Sequence, residues 1–237
     1  MIDGGELLAL IPARAGSERL PGKNTALIAG KPLITWSVKA ALESKYVDRV
    51  IVSTEDDNTA TLARLAGAEV PFKRPDCLAT SSASTMAVIK HALDALELAG
   101  YSVEYLLLLQ PTSPLRNSTH IDDAVDCFLS NQADSVIGVT QVDHPMEWTG
   151  EVSENLSMES FLDLDLDMRS QEFPKRYRIN GAIYVANVSK VIEKNSFLLD
   201  TGTFAYIMDG VASIDIDTKL DFMLAETLLE KQLATEY

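Results

Sequence analysis

Residues 7–24 read LLALIPARAGSERLPGKN. Five apolar residues lead through a proline into a loop in which Arg14, Arg19 and Lys23 fall within ten residues, opposed only by Glu18. A short continuous apolar run predicts a strand buried on both faces, as in a parallel sheet covered by helices. The loop leaves that strand at its carboxyl end, the side on which open α/β sheets bind ligands.

The rest of the chain keeps this rhythm. RVIVST (49–54), YLLLLQ (105–110), SVIGVT (135–140) and GAIYVAN (181–187) read as further strands. Between them, residues 84–99 place Met86, Ile89, Leu93 and Leu96 at helical spacing, with Ser82 or Ser84 as the cap and Gly100 as the stop. Ser118 is expected to cap a helix carrying Ile121, Val125 and Phe128, and a last helix from about 218 to bury Leu220, Leu224 and Leu228. These elements predict a single, mostly parallel α/β sheet with helices on both faces. Residues 142–178 break the rhythm. They are polar and irregular, yet carry Trp148, Phe161, Phe173 and Tyr177, so they read as a small inserted lobe rather than a linker. Within it FLDLDLDM (161–168) alternates, which predicts three carboxylates on one strand face. The main domain is then 1–141 with 179–237.

With 237 residues, 46% of them hydrophobic, the chain is long enough for one full core. Its net charge of −15 argues against nucleic acid and anionic membranes as partners. An anionic ligand needs a local positive patch, and the opening loop is one. Cys77 and Cys127 have neither disulfide-framework nor metal-ligand spacing and are read as two buried small hydrophobes in a reducing compartment. The first residues, MIDGGE, lack the basic and apolar regions of a signal peptide, and the apolar runs are too short to span a bilayer. The expectation is a soluble cytoplasmic protein.

In the opening loop, Gly16 and Gly22 are expected to permit tight turning and close approach of a ligand. With the cations and backbone N–H groups they would form a phosphate cradle. It is not a Walker A loop: five residues, not four, separate Gly16 from Gly22, and Asn24 follows Lys23. Nor is it a dinucleotide loop, since G-x-G-x-x-G is absent. Far downstream, DIDTKLD sets Asp215 and Asp217 on one face at the end of an apolar strand. Paired carboxylates there suit Mg²⁺, and equally the cap of the helix that follows. Gln110 ends a strand before the rigid PTSP turn, where its amide can donate to and accept from a sugar or base, or simply cap the turn; Arg116 would brace the loop. His91, His120 and His144 show no metal spacing.

IPARAGSERLPGKN together with GKPLI (30–34) resembles the signature of the sugar-activating cytidylyltransferases. RPDCLATSSAST (74–85), LLQPTSPLR (108–116), RINGAIY (178–184) and SIDIDTKLD (213–221) resemble, in order, the branch that loads CMP onto sialic-acid-type sugars. The resemblance implies a Rossmann-like fold of the nucleotide-diphospho-sugar transferase type, with the insert as a dimerisation lobe and a homodimer as the assembly. It implies CTP and a nine-carbon keto-acid sugar as substrates, and Mg²⁺ on Asp215 and Asp217. It assigns Ala13, Arg14, Gly16, Ser17, Lys23, Asn24, Arg74 and Thr85 to the nucleotide, with Arg14, Lys23 and Asp217 catalytic. Gln110, Arg169, Arg178, Asn180 and Tyr184 go to the sugar. Two departures fall in the insert: Met146, Glu147 and Trp148 follow His144–Pro145 with no lysine until Lys175, and Arg169 is followed by Ser170 before Gln171. The His-Pro-x-x-Trp pattern is closer to the legionaminate-activating branch, whose apolar acyl and methyl groups suit a tryptophan. The branch that loads Kdo is the alternative, and a non-catalytic nucleotide-binding protein a remote one.

Overall fold

The computed structural model describes residues 2, 4–17, 19–159, 169 and 172–235. Its strands are β1 (Leu7–Pro12), the short hairpin β2 (Leu27–Ile28) and β3 (Lys31–Pro32), β4 (Arg49–Ser53), β5 (Tyr105–Leu108), β6 (Ser135–Gln141), β7 (Tyr177–Asn187) and β8 (Thr203–Met208). Its α-helices are α1 (Leu33–Leu42), α2 (Asp57–Leu65), α3 (Thr85–Leu98), α4 (Ser118–Ser130), α5 (Val188–Lys194) and α6 (Lys219–Thr235). Six strands form one sheet in the order β4-β1-β5-β7-β6-β8. All neighbours are parallel except β7, which runs antiparallel to both β5 and β6.

The apolar run in β1 does what its composition demands. Leu7 to Ile11 are each 0–3% exposed, and successive side chains enter opposite cores. Leu7, Ala9 and Ile11 pack with Ile34 and Val38 of α1 and with Ile121, Val125 and Phe128 of α4. Leu8 and Leu10 pack with Ile89, Ala92 and Leu96 of α3. A third, smaller core joins Ile28 and Leu33 to Ile216, Ala225 and Leu229, and so lays α6 against the hairpin β2–β3. This packing brings the end of the chain beside the loop that follows β1.

Several local expectations need correction. β7 begins at Tyr177, four residues before the expected strand, so the excursion from the sheet covers residues 142–176. β8 was not expected: it is an edge strand of mixed burial, and the apolar run FAYIM (204–208) leaves Phe204 and Ile207 exposed. Ser84 caps α3, its hydroxyl accepting from the Ala87 N–H at 3.2 Å. α4, however, is capped by Asn117, which forms a capping box with His120, and Ser118 is the first helical residue. In α6 the inward residues are Ala225 and Leu229, while Leu220 and Leu224 stay exposed. The helix docks on a narrow hairpin rather than a broad sheet face, so a narrower stripe is covered. Cys77 is exposed and Cys127 only partly buried, contrary to the reading of two buried hydrophobes. The alternating stretch FLDLDLDM (161–168), with Phe161, lies outside the described residues; elsewhere in the excursion Trp148 and Phe173 meet edge to face at 5.8 Å.

The corrected register of α6 is testable by urea denaturation. Leu229→Ala should cost about 2–4 kcal/mol, the range for a buried leucine, whereas Leu220→Ala should cost under about 0.5 kcal/mol.

Candidate active site

The loop after β1 is built around one left-handed turn. Gly22 has φ 69°, and the 3₁₀ turn Lys23–Thr25 follows, with the Thr25 and Ala26 N–H groups donating to the Gly22 carbonyl at 3.0 and 3.1 Å. Gly16 does not share this role. Its φ lies outside the left-handed region, and an added Cβ would meet only the Ala79 carbonyl, at 3.9 Å. The turn drives Lys23 and Asn24 inward, to 8% and 9% exposure. Asn24 Nδ2 donates to the Arg14 carbonyl at 2.8 Å. Lys23 Nζ donates to the Ile216 carbonyl and lies 3.7 Å from Asp217 Oδ1. Burial lowers the Lys23 pKa, and the charges of Asp217 and Asp215 oppose that shift. Arg19 reaches Asp217 Oδ2 at 2.9 Å from the solvent side.

The carboxylate segment is fastened to the turn after β5, the Ile216 N–H donating to the Thr112 carbonyl at 2.8 Å. Capping of α6 falls to neighbouring residues. Asp221 accepts from the Thr218 N–H at 2.7 Å, and the Asp221 N–H donates to Thr218 Oγ1 at 3.3 Å. Asp215 and Asp217 are therefore free of the capping role that was the alternative reading. Asp215 Oδ1 is buried with no hydrogen-bond partner. Burial raises the Asp215 pKa and the charge of Asp217 adds to that rise, while a hydrogen bond from Thr112 opposes it. Among the described residues no three His, Cys, Asp or Glu side chains gather as a metal cage. An orphaned carboxylate oxygen beside a second carboxylate fits a hard cation that completes its shell with phosphate oxygens, as Mg²⁺ does.

These groups open on a cavity of about 520 Å³ at the carboxyl ends of β1, β4 and β5. Arg14, Ser17, Arg19, Lys23, Asn24 and Asp217 form one wall, and Arg74, Thr80, Ser81 and Thr85 another. Arg74 is 3% exposed; its Nε donates to Ser53 Oγ at 3.1 Å and its Nη2 to the Ser53 carbonyl. Burial lowers its pKa, Glu55 opposes that shift and Arg14 adds to it. A second cavity of about 280 Å³ shares Thr85 and Gln110 with the first and is largely apolar, with Met86, Ile179, Tyr184, Phe197 and Leu198 in its walls. Tyr184 and Phe197 lie 5.1 Å apart, and burial, then the charge of Asp215, raises the Tyr184 pKa. Gln110 sits at the junction. Its side-chain Oε1 would be 2.8 Å from a Cβ at Gly181, a residue with φ +77° beside the bulge between β6 and β7. The fully buried Arg116 braces this loop, its Nη2 donating to Ser37 Oγ at 2.7 Å and to the Gln110 carbonyl at 3.3 Å.

The fold thus gathers Arg14, Ser17, Lys23, Asn24, Arg74, Thr85, Gln110 and Asp217 on the first cavity, with Asp215 behind it and Tyr184 on the second. Besides Asp215, five expected site residues line neither cavity. Ala13 is a core residue whose N–H donates to the Ser53 carbonyl, and Gly16 stands outside the lining. Asn180 is 2% exposed and staples the bulge, donating to Ser213 Oγ at 2.9 Å and accepting from the Ala182 N–H at 3.0 Å. Arg178 is exposed on β7 and Arg169 is exposed in the excursion. Phe197 and Leu198 were not expected. They follow Asn195, whose left-handed φ of 57° ends α5, and two apolar residues beyond a helix stop were the only signal.

The expected strand before Asp215 and Asp217 does not form; the pair lies on irregular backbone leading into α6. An open α/β sheet with a cationic cavity at its strand ends and this carboxylate segment beside it defines a nucleotide-binding domain of the transferase type. A family model described as Cytidylyltransferase matches residues 8–235. An N-acylneuraminate cytidylyltransferase from Escherichia coli O18:K1:H7 is 37% identical over 228 residues, covering 96% of this chain and 53% of that protein. The chain thus spans about half the length of that relative. A CMP-N,N'-diacetyllegionaminic acid synthase from Legionella pneumophila is 38% identical over 226 residues, 94% of this chain and 96% of that one. A solved structure of CMP:2-keto-3-deoxy-manno-octonic acid synthetase complexed with CTP superposes at a TM-score of 0.70 with 17% identity, covering 96% of this chain and all of that one. The last likeness concerns the fold alone. The chain belongs to the cytidylyltransferase family.

The raised pKa of Asp215 has a measurable consequence. The folded chain holds that proton more tightly than the unfolded chain does. The contribution therefore favours folding at acid pH and fades as pH rises through the raised value. Asp215→Asn removes the buried charge, so at pH 8 the ligand-free protein should melt about 2–4 °C higher, with the gain shrinking toward pH 4. Calorimetry across pH checks it.

Proposed function

We propose that this chain transfers CMP from CTP to the anomeric hydroxyl of a nine-carbon α-keto acid sugar of the sialic or legionaminic type, releasing pyrophosphate. The observation that carries the reading is the junction at Gln110 and Thr85 of a cationic cavity of about 520 Å³ and an apolar one of about 280 Å³. A triphosphate suits the first, and an acylated sugar suits the second. The relatives named for neuraminate and legionaminate activation support the same substrates.

Arg14, Arg19 and Lys23 bind the β- and γ-phosphates, and Ser17, Asn24, Arg74 and Thr85 hold the rest of the nucleotide. The Gln110 amide and Tyr184 orient the sugar, with its acyl or methyl groups against Phe197 and Leu198. The anomeric oxygen attacks the α-phosphorus and releases its proton as the new O–P bond forms. The bond from the α-phosphorus to the bridging oxygen breaks, and pyrophosphate leaves with the electron pair. Lys23 and Arg14 stabilise the charge gathering on that leaving group. Asp215 and Asp217 would hold a magnesium ion, which would supply charge neutralisation and orientation of the phosphate oxygens. No covalent intermediate on the protein is required, so positioning and electrostatics carry the rate.

We further propose a homodimer built through the inserted lobe, residues 142–178. Apolar side chains left exposed on β7 and β8, among them Ile179 at 45% and Ile207 at 59%, support an interface there. In that assembly Arg169 and Arg178, remote from the cavities of one chain, would meet the sugar carboxylate in the site of the other. An exposed free thiol at Cys77 suits the cytoplasm as the working compartment. No helix among the described residues is long and apolar enough to cross a membrane.

The decisive experiment incubates the protein with CTP, Mg²⁺ and, separately, Kdo, N-acetylneuraminate, legionaminate and pseudaminate, and reads pyrophosphate and product mass. CMP adducts of neuraminate or legionaminate are expected; turnover of Kdo alone overturns the reading. Asp217→Ala should lower kcat by about 10²–10³-fold, the scale of losing one preorganised electrostatic partner.

A further inference from the structure

We propose that Glu55 is a positioning residue for the nucleotide, acting by clamping the peptide between Arg14 and Ala15. The inference rests on the cytidylyltransferase reading above and extends it to a residue outside the cavity of about 520 Å³. Glu55 follows the carboxyl end of β4 and precedes Asp56, the cap of α2. Its Oε1 accepts from the Ala15 N–H at 2.7 Å, across 40 residues of sequence. On the other edge of the same peptide group, the Arg14 carbonyl accepts from Asn24 Nδ2 at 2.8 Å. A peptide group is planar, so bonds to its oxygen and to its nitrogen fix the orientation of the whole unit. That unit carries Arg14, whose side chain lines the cavity, and the next two residues, Gly16 and Ser17, are small and offer little to anchor the loop.

The choice of a carboxylate also has a local reason. Arg14 and Arg74 repel each other, and Glu55 is the acidic group that favours the charged form of Arg74. Its Oε2 is buried and has no hydrogen-bond partner, so the Ala15 N–H on Oε1 and the neighbouring arginine charge are what hold this carboxylate. A carboxylate also makes a stronger hydrogen bond to a backbone N–H than a neutral acceptor does.

Glu55→Ala and Glu55→Gln separate the hydrogen bond from mere structural support. The alanine variant should raise both KM and the calorimetric Kd for CTP about tenfold and lower kcat as well, because Arg14 also faces the leaving group, while the sugar KM stays within about twofold of the parent protein. Glutamine keeps an acceptor oxygen for the Ala15 N–H and should recover CTP binding to within about threefold. Equal loss in both variants, an unchanged Kd for CTP in the alanine variant, or a loss shared equally by CTP and sugar overturns the assignment. If the parent protein itself binds no CTP in the presence of Mg²⁺, the functional reading falls and this inference with it. If the parent binds CTP and both variants match it, only the role of Glu55 falls.

Discussion

The site depends on one buried ammonium. Lys23 leaves the first loop of the sheet, passes inward, and donates to a carbonyl 193 residues later, between two aspartates. A lysine at 8% exposure loses most of its hydration and needs oxygen partners to remain charged. Ile216 and Asp217 supply them, and in doing so tie the phosphate-facing loop to the carboxylate segment. The third core, with Ile28, Leu33, Ile216 and Leu229, is the apolar counterpart of that tie. Polar link and apolar packing place the same two segments together, so neither half of the site is positioned independently.

The antiparallel strand β7 has a comparable organising effect on the other side of the site. Inserted between β5 and β6, it sets Tyr184 opposite Leu108, the last residue of β5, and turns at Gly181, where only the lack of a side chain leaves room for Gln110. Asn180 is spent inside this bulge, holding Ser213 and the Ala182 N–H. Asn180, expected at the sugar, thus helps to shape the wall against which Gln110 rests.

Legibility in the sequence followed physical locality. β1 and the loop after it were readable because a doubly buried strand must be continuously apolar and a cluster of cations in an acidic chain is conspicuous. The edge strand β8 and the true inward face of α6 were not, because both depend on what lies alongside. An edge strand is half exposed, and a helix docked on a two-residue hairpin covers Leu229 but leaves Leu220 and Leu224 in water. The sequence left Asp215 and Asp217 open between cap and metal ligand, and the structure gives the cap to Thr218 and Asp221, a pairing the sequence spacing did not single out. Phe197 and Leu198 escaped notice because a pocket wall made by a residue pair after a helix stop has no period to detect.

Carbonyl and hydroxyl oxygens share with Asp217 the work of fixing the cavity's cations. Arg74 is pinned by the carbonyl and hydroxyl of Ser53, and Lys23 by the carbonyl of Ile216. Fixing a cation through carbonyl dipoles sets its position without cancelling its charge, whereas a bidentate carboxylate would do both. The result is a set of oriented positive groups whose pKa values are lowered by burial, a state that disfavours their charge until an anion enters. On the cytidylyltransferase reading proposed above, binding a polyphosphate would relieve that penalty, and the relief would grow as negative charge gathered on a departing pyrophosphate. The penalty at Lys23 and Arg74 and the stabilisation of the leaving group would then be two consequences of one arrangement, in which carbonyl dipoles orient buried cations without cancelling their charge.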